Sequence, residues 1–398
     1  MARSFSVAAQ RFSGQPMFKT LERVQQLERQ GKGVLHFELG QPDFPTPGKI
    51  VAAGIDALRN GETRYTSYLG MYDFKLAVRQ VTSRSRGFVP DSDQILVTPG
   101  ANAIIYYAVK CLVDPDDEVI IPDPGFPTYA AAVNACDGAT VGVELREEKG
   151  FRLQAADIEA RITPRTKLII LNSPSNPTGA AMSESEIRDV YELAERRDLY
   201  LLSDEVYSRM IFNEGARFFS PSMIDHCRER TVILNGFSKA FSMTGWRLGV
   251  AIGPGGLIQK MGLLNETIVS CVPPFVQRAG IEAMVGDQTP ANLMYAEYRA
   301  RCRLLVDGLN GLPGVSCRIP DGAIYVFPNI TGTGMSSEEF SEYALDAAGV
   351  ALLPGTCFGG HGEGYIRMCY VNDQTCIREA LSRLRLALEA RNGNGSCR

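Results

Sequence analysis

Apolar residues in the middle of the chain fall into short, nearly unbroken runs: Ile95–Val97, Val119–Ile121, Leu168–Leu171, Tyr200–Leu202, Val232–Leu234 and Leu248–Ile252. The runs end in polar residues, glycine or proline, and stretches with helical spacing follow. Strands apolar on both faces belong to a sheet covered on both sides, and alternation with helices predicts a mainly parallel α/β sheet. Glu184–Arg197 is one such helix, with Ser183 placed to cap its start and Glu186 three residues on. The flanks have another texture. Residues 17–30 read as an exposed helix closed by Gly31. From about residue 290 come a long helix over Leu293–Leu309, short strands at Val315–Ile319, Ala323–Pro328 and Tyr365–Val371, and an amphipathic helix from about Asp373 to Ala390. The last eight residues read as a frayed tail. The pattern predicts a central α/β domain and a smaller α+β domain built from both termini. Residues 1–47 form an N-terminal arm and part of the small domain, 48–289 the large domain, and 290–398 the C-terminal small domain.

Composition narrows the chemistry. Lys and Arg total 41 against 45 Asp and Glu in 398 residues, and no basic stripe points to nucleic acid. Three histidines (His36, His226, His361) are too few for most histidine-built metal sites or triads. The ten cysteines include no CxxC pair, and no apolar run approaches the ~18 residues of a membrane span. The N-terminus lacks a signal-peptide core. The expectation is a soluble cytoplasmic protein with reduced thiols and no membrane partner. Lysine occurs only nine times, so chemistry that needs one has few candidates.

Open parallel sheets bind ligands outside the carboxyl ends of their strands. Five strand ends here carry polar or aromatic groups. The first continues as Thr98-Pro99-Gly100-Ala101-Asn102 into a helix, whose free N–H groups suit a phosphate, although a simple tight turn reads the same way. The second leads to Phe126 in a proline-locked loop, able to stack on a ligand ring or simply to pack. The third leads to Asn176, bracketed by Pro174 and Pro177. The fourth carries Asp204 with Tyr207, and a carboxylate there must be paired to stay charged. The fifth carries Ser238-Lys239, with Arg247 eight positions on. Apolar surroundings and a nearby cation lower a lysine's pKa and make it a nucleophile for Schiff-base chemistry; the bland alternative is a salt-bridged structural lysine. Chance accounts for one or two such placements rather than five.

The combination resembles the pyridoxal-phosphate-dependent class I aminotransferases of fold type I, from Gly40-Gln-Pro-Asp-Phe44 to the C-terminal helix. The segment Gly236-Phe-Ser-Lys239 through Gly245-Trp-Arg247-Leu-Gly249 is similar to the family's cofactor-attachment signature, with Asn-Pro-Thr-Gly (176–179) and Ser-Asp-Glu-Val-Tyr (203–207) in the family's order. The resemblance implies a seven-stranded, mainly parallel sheet with a smaller domain, in a homodimer with shared sites. It implies pyridoxal 5'-phosphate on Lys239 as a Schiff base, with Lys239 later shuttling a proton. Asp204 would pair with the pyridine nitrogen, Asn176 and Tyr207 with the ring's phenolic oxygen, and Phe126 with the ring face. Gly100, Ala101, Asn102, Ser238 and Arg247 would hold the phosphate together with Tyr65 of a partner subunit. Arg367 would fork onto the substrate's α-carboxylate, with Gly40 as a backbone donor and Asn176 beside it.

Some segments depart from the family pattern. Gly236 stands where many relatives have serine, and Met71-Tyr-Asp-Phe-Lys75 and the entry segment Phe12–Met17 are unusual. With Tyr68 and Leu69, these regions border the substrate side chain in relatives, so they bear on which amino acid is used. The implied reaction is transfer of an amino group from an amino acid to a 2-oxo acid. The alternative is a specialised biosynthetic lyase or synthase diverting the same carbanion to elimination or replacement. A cofactor-binding regulator without catalysis fits less well, because the matching segment starts by about residue 34 and Lys239, Asp204 and Arg367 are all retained.

Overall fold

A computed structural model describes Phe5, Ala9, residues 16–212 and residues 218–395. Most of the entry segment, residues 12–15, and the last three residues of the tail lie outside that range. The strands in chain order are β1 (Leu35–His36), β2 (Ile95–Thr98), β3 (Glu118–Asp123), β4 (Ala139–Glu144), β5 (Thr166–Asn172), β6 (Tyr200–Asp204), β7 (Thr231–Gly236), β8 (Gly249–Ile252), β9 (Tyr325–Val326), β10 (Val350–Ala351), β11 (Leu353–Pro354) and β12 (Ile366–Cys369). Seven of them form one sheet in the order β2-β8-β7-β6-β5-β3-β4, parallel except for β8.

Alternation of side chains along a strand explains why the runs are apolar throughout. Leu168 and Ile170 point to one face, into a core with Ile104, Ile105 and Ala108 of the helix Ala101–Leu112. Ile169 and Leu171 point to the other, against Val190, Leu193 and Ala194 of the helix Glu184–Arg196. Helices Gly48–Arg59, Tyr72–Arg86 and Pro274–Val285 cover Ile95, Val97, Ile233 and Val250 near the β2 edge. All six apolar runs are therefore strands, with carboxyl ends as expected for the five parallel ones.

The remaining strands form a three-stranded antiparallel sheet, β11-β12-β9, and a parallel pair, β1-β10. The pairing of Leu35 with Val350 ties the N-terminal segment to the C-terminal part. Four details differ from the sequence pattern. Strand β4 has no apolar run because it is an edge strand, with only Val143 fully buried. Val315–Ile319 is not a strand: Ser316 makes a single bridge to Asn329, and Ile319 is exposed. The first helix, Pro16–Arg29, is not wholly exposed, since Val24 and Leu27 pack on Leu345 and Ala351. The last helix runs from Gln374 to Gly395, including the first five residues of the expected tail. Among the described residues, no helix is long and apolar enough to cross a membrane.

Ser183 caps its helix as anticipated: its hydroxyl accepts the Glu186 N–H at 3.3 Å, and the Glu186 carboxylate accepts the Ser183 N–H at 2.7 Å. Ser183→Ala should cost about 1 kcal/mol. A fall in Tm of roughly 1–2 °C by calorimetry, with turnover unchanged, is the expected outcome.

Candidate active site

The carboxyl ends of β5, β6 and β7 open onto a cavity of about 300 Å³, large enough for a cofactor-sized ligand. Of the residues singled out from the sequence, Gly40, Ala101, Asn102, Phe126, Asn176, Asp204, Tyr207, Ser238, Lys239, Arg247 and Arg367 line it. Gly100 sits directly behind the wall. Tyr65 does not join them: within this chain it lies outside the cavity with 87% of its surface exposed.

One end of the cavity is an anion cradle. Gly100, at φ +90°, turns β2 into the helix Ala101–Leu112, whose first two residues line the cavity. A Cβ on Gly100 would collide with the Arg247 guanidinium, and one on Gly249 would come within 2.7 Å of the Gly100 carbonyl carbon and 2.8 Å of the Ala101 nitrogen. Both glycines are thus required by close approach. Arg247 itself has φ +53°, a left-handed conformation that costs a non-glycine residue on the order of 1 kcal/mol or more. Its Nη1 donates to the Thr244 carbonyl at 2.9 Å, and among the described residues no carboxylate pairs with it.

The middle of the cavity holds a buried carboxylate. Burial pushes Asp204 up to about 6, against the opposing pull of the Tyr129 hydroxyl, which donates to Oδ2 at 2.7 Å, and of the Val206 N–H at 3.3 Å. The Asn172 side chain, at the end of β5, accepts the Asn176 N–H at 2.7 Å and donates to the Asp204 carbonyl, locking the two strand ends together. Phe126 packs edge-on against Tyr129, with centroids 5.7 Å apart.

The far end carries two cations. Arg367 is 2% exposed; its Nη1 donates to Asn176 Oδ1 at 3.1 Å and its Nη2 to the Glu38 carbonyl, while Nε has no partner among the described residues. Its guanidinium lies between the rings of Tyr325 and Phe358, 4.4 and 4.8 Å from their centroids. Lys239 Nζ donates to the Gly40 carbonyl. Loss of hydration, then the charges of Arg367 and Arg247, push the Lys239 amine down to about 8, with Cys369 opposing. The sequence reading credited Arg247 as the neighbouring cation; Arg367, brought in from the far end of the chain, is the stronger influence.

Four contributors escaped the sequence reading. Asn172 ends a strand and Tyr129 follows Phe126 by three residues, so strand-end and helical spacing pointed to both. Tyr325 and Phe358 lie in the C-terminal part, where no local pattern marks a side chain that reaches Arg367.

The lowered lysine has a direct consequence. In cofactor-free protein, Lys239 is an ammonium below pH 8 and a free amine above it. Trinitrobenzenesulfonate labelling of its peptide should be half-maximal near pH 8, whereas an ordinary lysine follows a pKa of about 10.4. A half-maximum near 10 would contradict the desolvated environment.

Comparison with known proteins agrees with this geometry over the whole chain. A sequence profile described as Aminotransferase class I and II matches residues 32–384. The chain is 38% identical over 370 residues to aspartate aminotransferase of Pyrococcus horikoshii, covering 92% of this chain and 93% of that one. It is 37% identical over 369 residues to an arginine–pyruvate transaminase of Pseudomonas aeruginosa, covering 93% and 92%. The crystal structure of an aspartate aminotransferase from Rhizobium meliloti superimposes with a TM-score of 0.93 at 34% identity, covering 98% of this chain and 99% of that one. The chain therefore belongs to the class I and II aminotransferase family and is an aminotransferase that uses pyridoxal phosphate.

Proposed function

We propose that Lys239 carries the pyridoxal phosphate in the cavity at the strand ends and that Arg367 selects the α-carboxylate of the amino acid and 2-oxo acid that exchange the amino group. The observation that carries this reading is the lowered Lys239 amine in one cavity with the Asp204 carboxylate and with Arg247, which no carboxylate among the described residues neutralises.

The donor set suits the cofactor group by group. The backbone at Gly100, Ala101 and Asn102, with Ser238 and Arg247, would hold the phosphate, because a helix N-terminus and a free guanidinium both favour a dianion. Asp204 would pair with the ring nitrogen; a cation there returns the raised carboxyl to its ionised form. Asn176 and Tyr207 would hold the phenolic oxygen, and Phe126 would cover the ring face. When bound, the cofactor supplies a protonated ring that stabilises negative charge at the amino acid's Cα. Lys239 Nζ, whose neutral amine is favoured by burial and by the charges of Arg367 and Arg247, would take the Cα proton and return it on the exchanging carbon. Arg367, fixed by Asn176, the Glu38 carbonyl and two rings, holds the carboxylate, and Gly40 adds a backbone N–H. The apolar walls of Leu39, Val206 and Leu234 would limit the access of water to that proton transfer. Diversion to elimination is not favoured, since the relatives are named as amino-group transferases.

The active form in this reading is a homodimer in which Tyr65 of the partner subunit reaches the phosphate. Its support is an exposed apolar set on one group of helices and their connecting loop: Ile55, Leu58, Tyr65, Tyr72, Leu76, Leu263 and Ile268. A division at residues 47 and 290 is supported by the separate apolar core that joins Phe37 to Tyr298, Tyr370 and Ile377.

Borohydride reduction followed by peptide mapping should place a pyridoxyl group on the peptide containing Lys239, and Lys239→Ala should abolish transfer from amino acid to 2-oxoglutarate. An adduct on another lysine would overturn the assignment. Arg367→Ala should raise KM for α-amino acids roughly 10- to 100-fold, the worth of a charge-assisted contact, with the cofactor retained; unchanged kinetics would remove Arg367 from substrate binding.

A further inference from the structure

Tyr325, on β9, lines the cavity at 2% exposure, and besides walling Arg367 it touches residues on the other side of the site. Its hydroxyl lies 2.9 Å from that of Tyr207, its hydrogen-bond partner among the described residues. Its ring faces the Arg367 guanidinium at 4.4 Å, opposite Phe358. A Cβ on Gly40 would collide with the Tyr325 hydroxyl, so the Tyr325 side chain packs directly against the backbone of this segment.

We infer that Tyr325 is a positioning residue with two separable parts: its hydroxyl directs the Tyr207 O–H toward the cofactor, and its ring holds the Arg367 guanidinium in place for the substrate carboxylate. The inference rests on the roles proposed for Lys239, Tyr207 and Arg367. A tyrosine has one O–H to donate. If Tyr207 donates to the cofactor's phenolic oxygen, it can meet Tyr325 only by accepting from it. A phenol oxygen that accepts a hydrogen bond is itself a better donor. Tyr325 therefore strengthens the bond that stabilises negative charge on the phenolic oxygen. That charge favours loss of the proton from the Lys239–cofactor linkage, so Tyr325 lowers the pKa of the linkage. On the other side, the buried Arg367 has an Nε without a partner among the described residues and two hydrogen-bond acceptors, so the two rings supply much of what keeps the cation in one place.

Two variants separate these parts. Tyr325→Phe removes the hydroxyl and keeps the ring; Tyr325→Leu removes both. In the cofactor-loaded enzyme, Tyr325→Phe should move the midpoint of the absorbance–pH titration upward by roughly 0.4–1 unit, the worth of one hydrogen bond, with KM for the amino acid within about twofold of wild type. Tyr325→Leu should show the same shift together with a KM raised roughly two- to thirtyfold for both amino acid and 2-oxo acid. An unmoved midpoint in Tyr325→Phe would overturn the hydroxyl role. A KM raised as much in Tyr325→Phe as in Tyr325→Leu, or in neither, would overturn the ring role. General loosening of the fold would lower Tm in both variants without splitting midpoint from KM. Failure of the underlying reading looks different: wild-type protein would then lack a pyridoxyl adduct on Lys239 after borohydride reduction, and this inference would fall with it.

Discussion

A guanidinium taken out of water has to be compensated on every side, and at Arg367 the compensation comes from parts of the chain far apart in sequence. The Glu38 carbonyl comes from the N-terminal segment, the Asn176 amide from the loop after β5, and the aromatic walls from Tyr325 and Phe358. Removing an acceptor would leave a buried cation short of partners, at about 1.5–3 kcal/mol, and removing a ring would cost about 0.5–2 kcal/mol. Arg367 therefore ties the small sheet that carries it to the N-terminal segment and to the loop after β5, at the cavity.

The same charge sets the chemistry nearby. Arg367 is the largest electrostatic influence on the Lys239 amine after burial itself, and the two cations are accommodated by alternate carbonyls of one segment, Glu38 for one and Gly40 for the other. The Leu39 carbonyl between them accepts from the Cys369 thiol at 2.7 Å. Three neighbouring peptide groups thus meet three side chains of the site, so a short strap from the N-terminal end orders residues contributed by β7 and β12. Across the cavity, Asp204 stands apart as the buried anion, aimed by Tyr129. Its neighbour Glu205 is already matched by Arg86 and by Ser203 and Ser220, so its charge is directed away from the ligand space. Cations at one wall and an anion at another form a field prepared for a zwitterionic substrate on a charged cofactor.

The legibility of this arrangement follows from sequence distance. The strand ends could be read because an apolar run followed by a polar residue is a local signal, and Asp204, Asn176 and Lys239 all stand in that position. The cap at Ser183 was legible for the same reason. Strand β4 was not, since an edge strand needs only one buried side chain and Ala139–Glu144 has little else apolar. The extent of the first helix's burial was not, because Val24 and Leu27 are covered by Leu345 and Ala351, over 300 residues away in the chain.

The sequence by itself determined the class of sheet and the chemical groups that stand at its strand ends, Lys239 among them, because burial on both faces and polar residues at strand ends leave local marks. Tertiary structure decided which cation acts on that lysine, which hydroxyl aims the carboxylate, and which rings hold Arg367. Those are contacts between segments separated by up to hundreds of residues. Electrostatic influence depends on distance in space and on the exclusion of water, and neither is written in the spacing of residues along the chain.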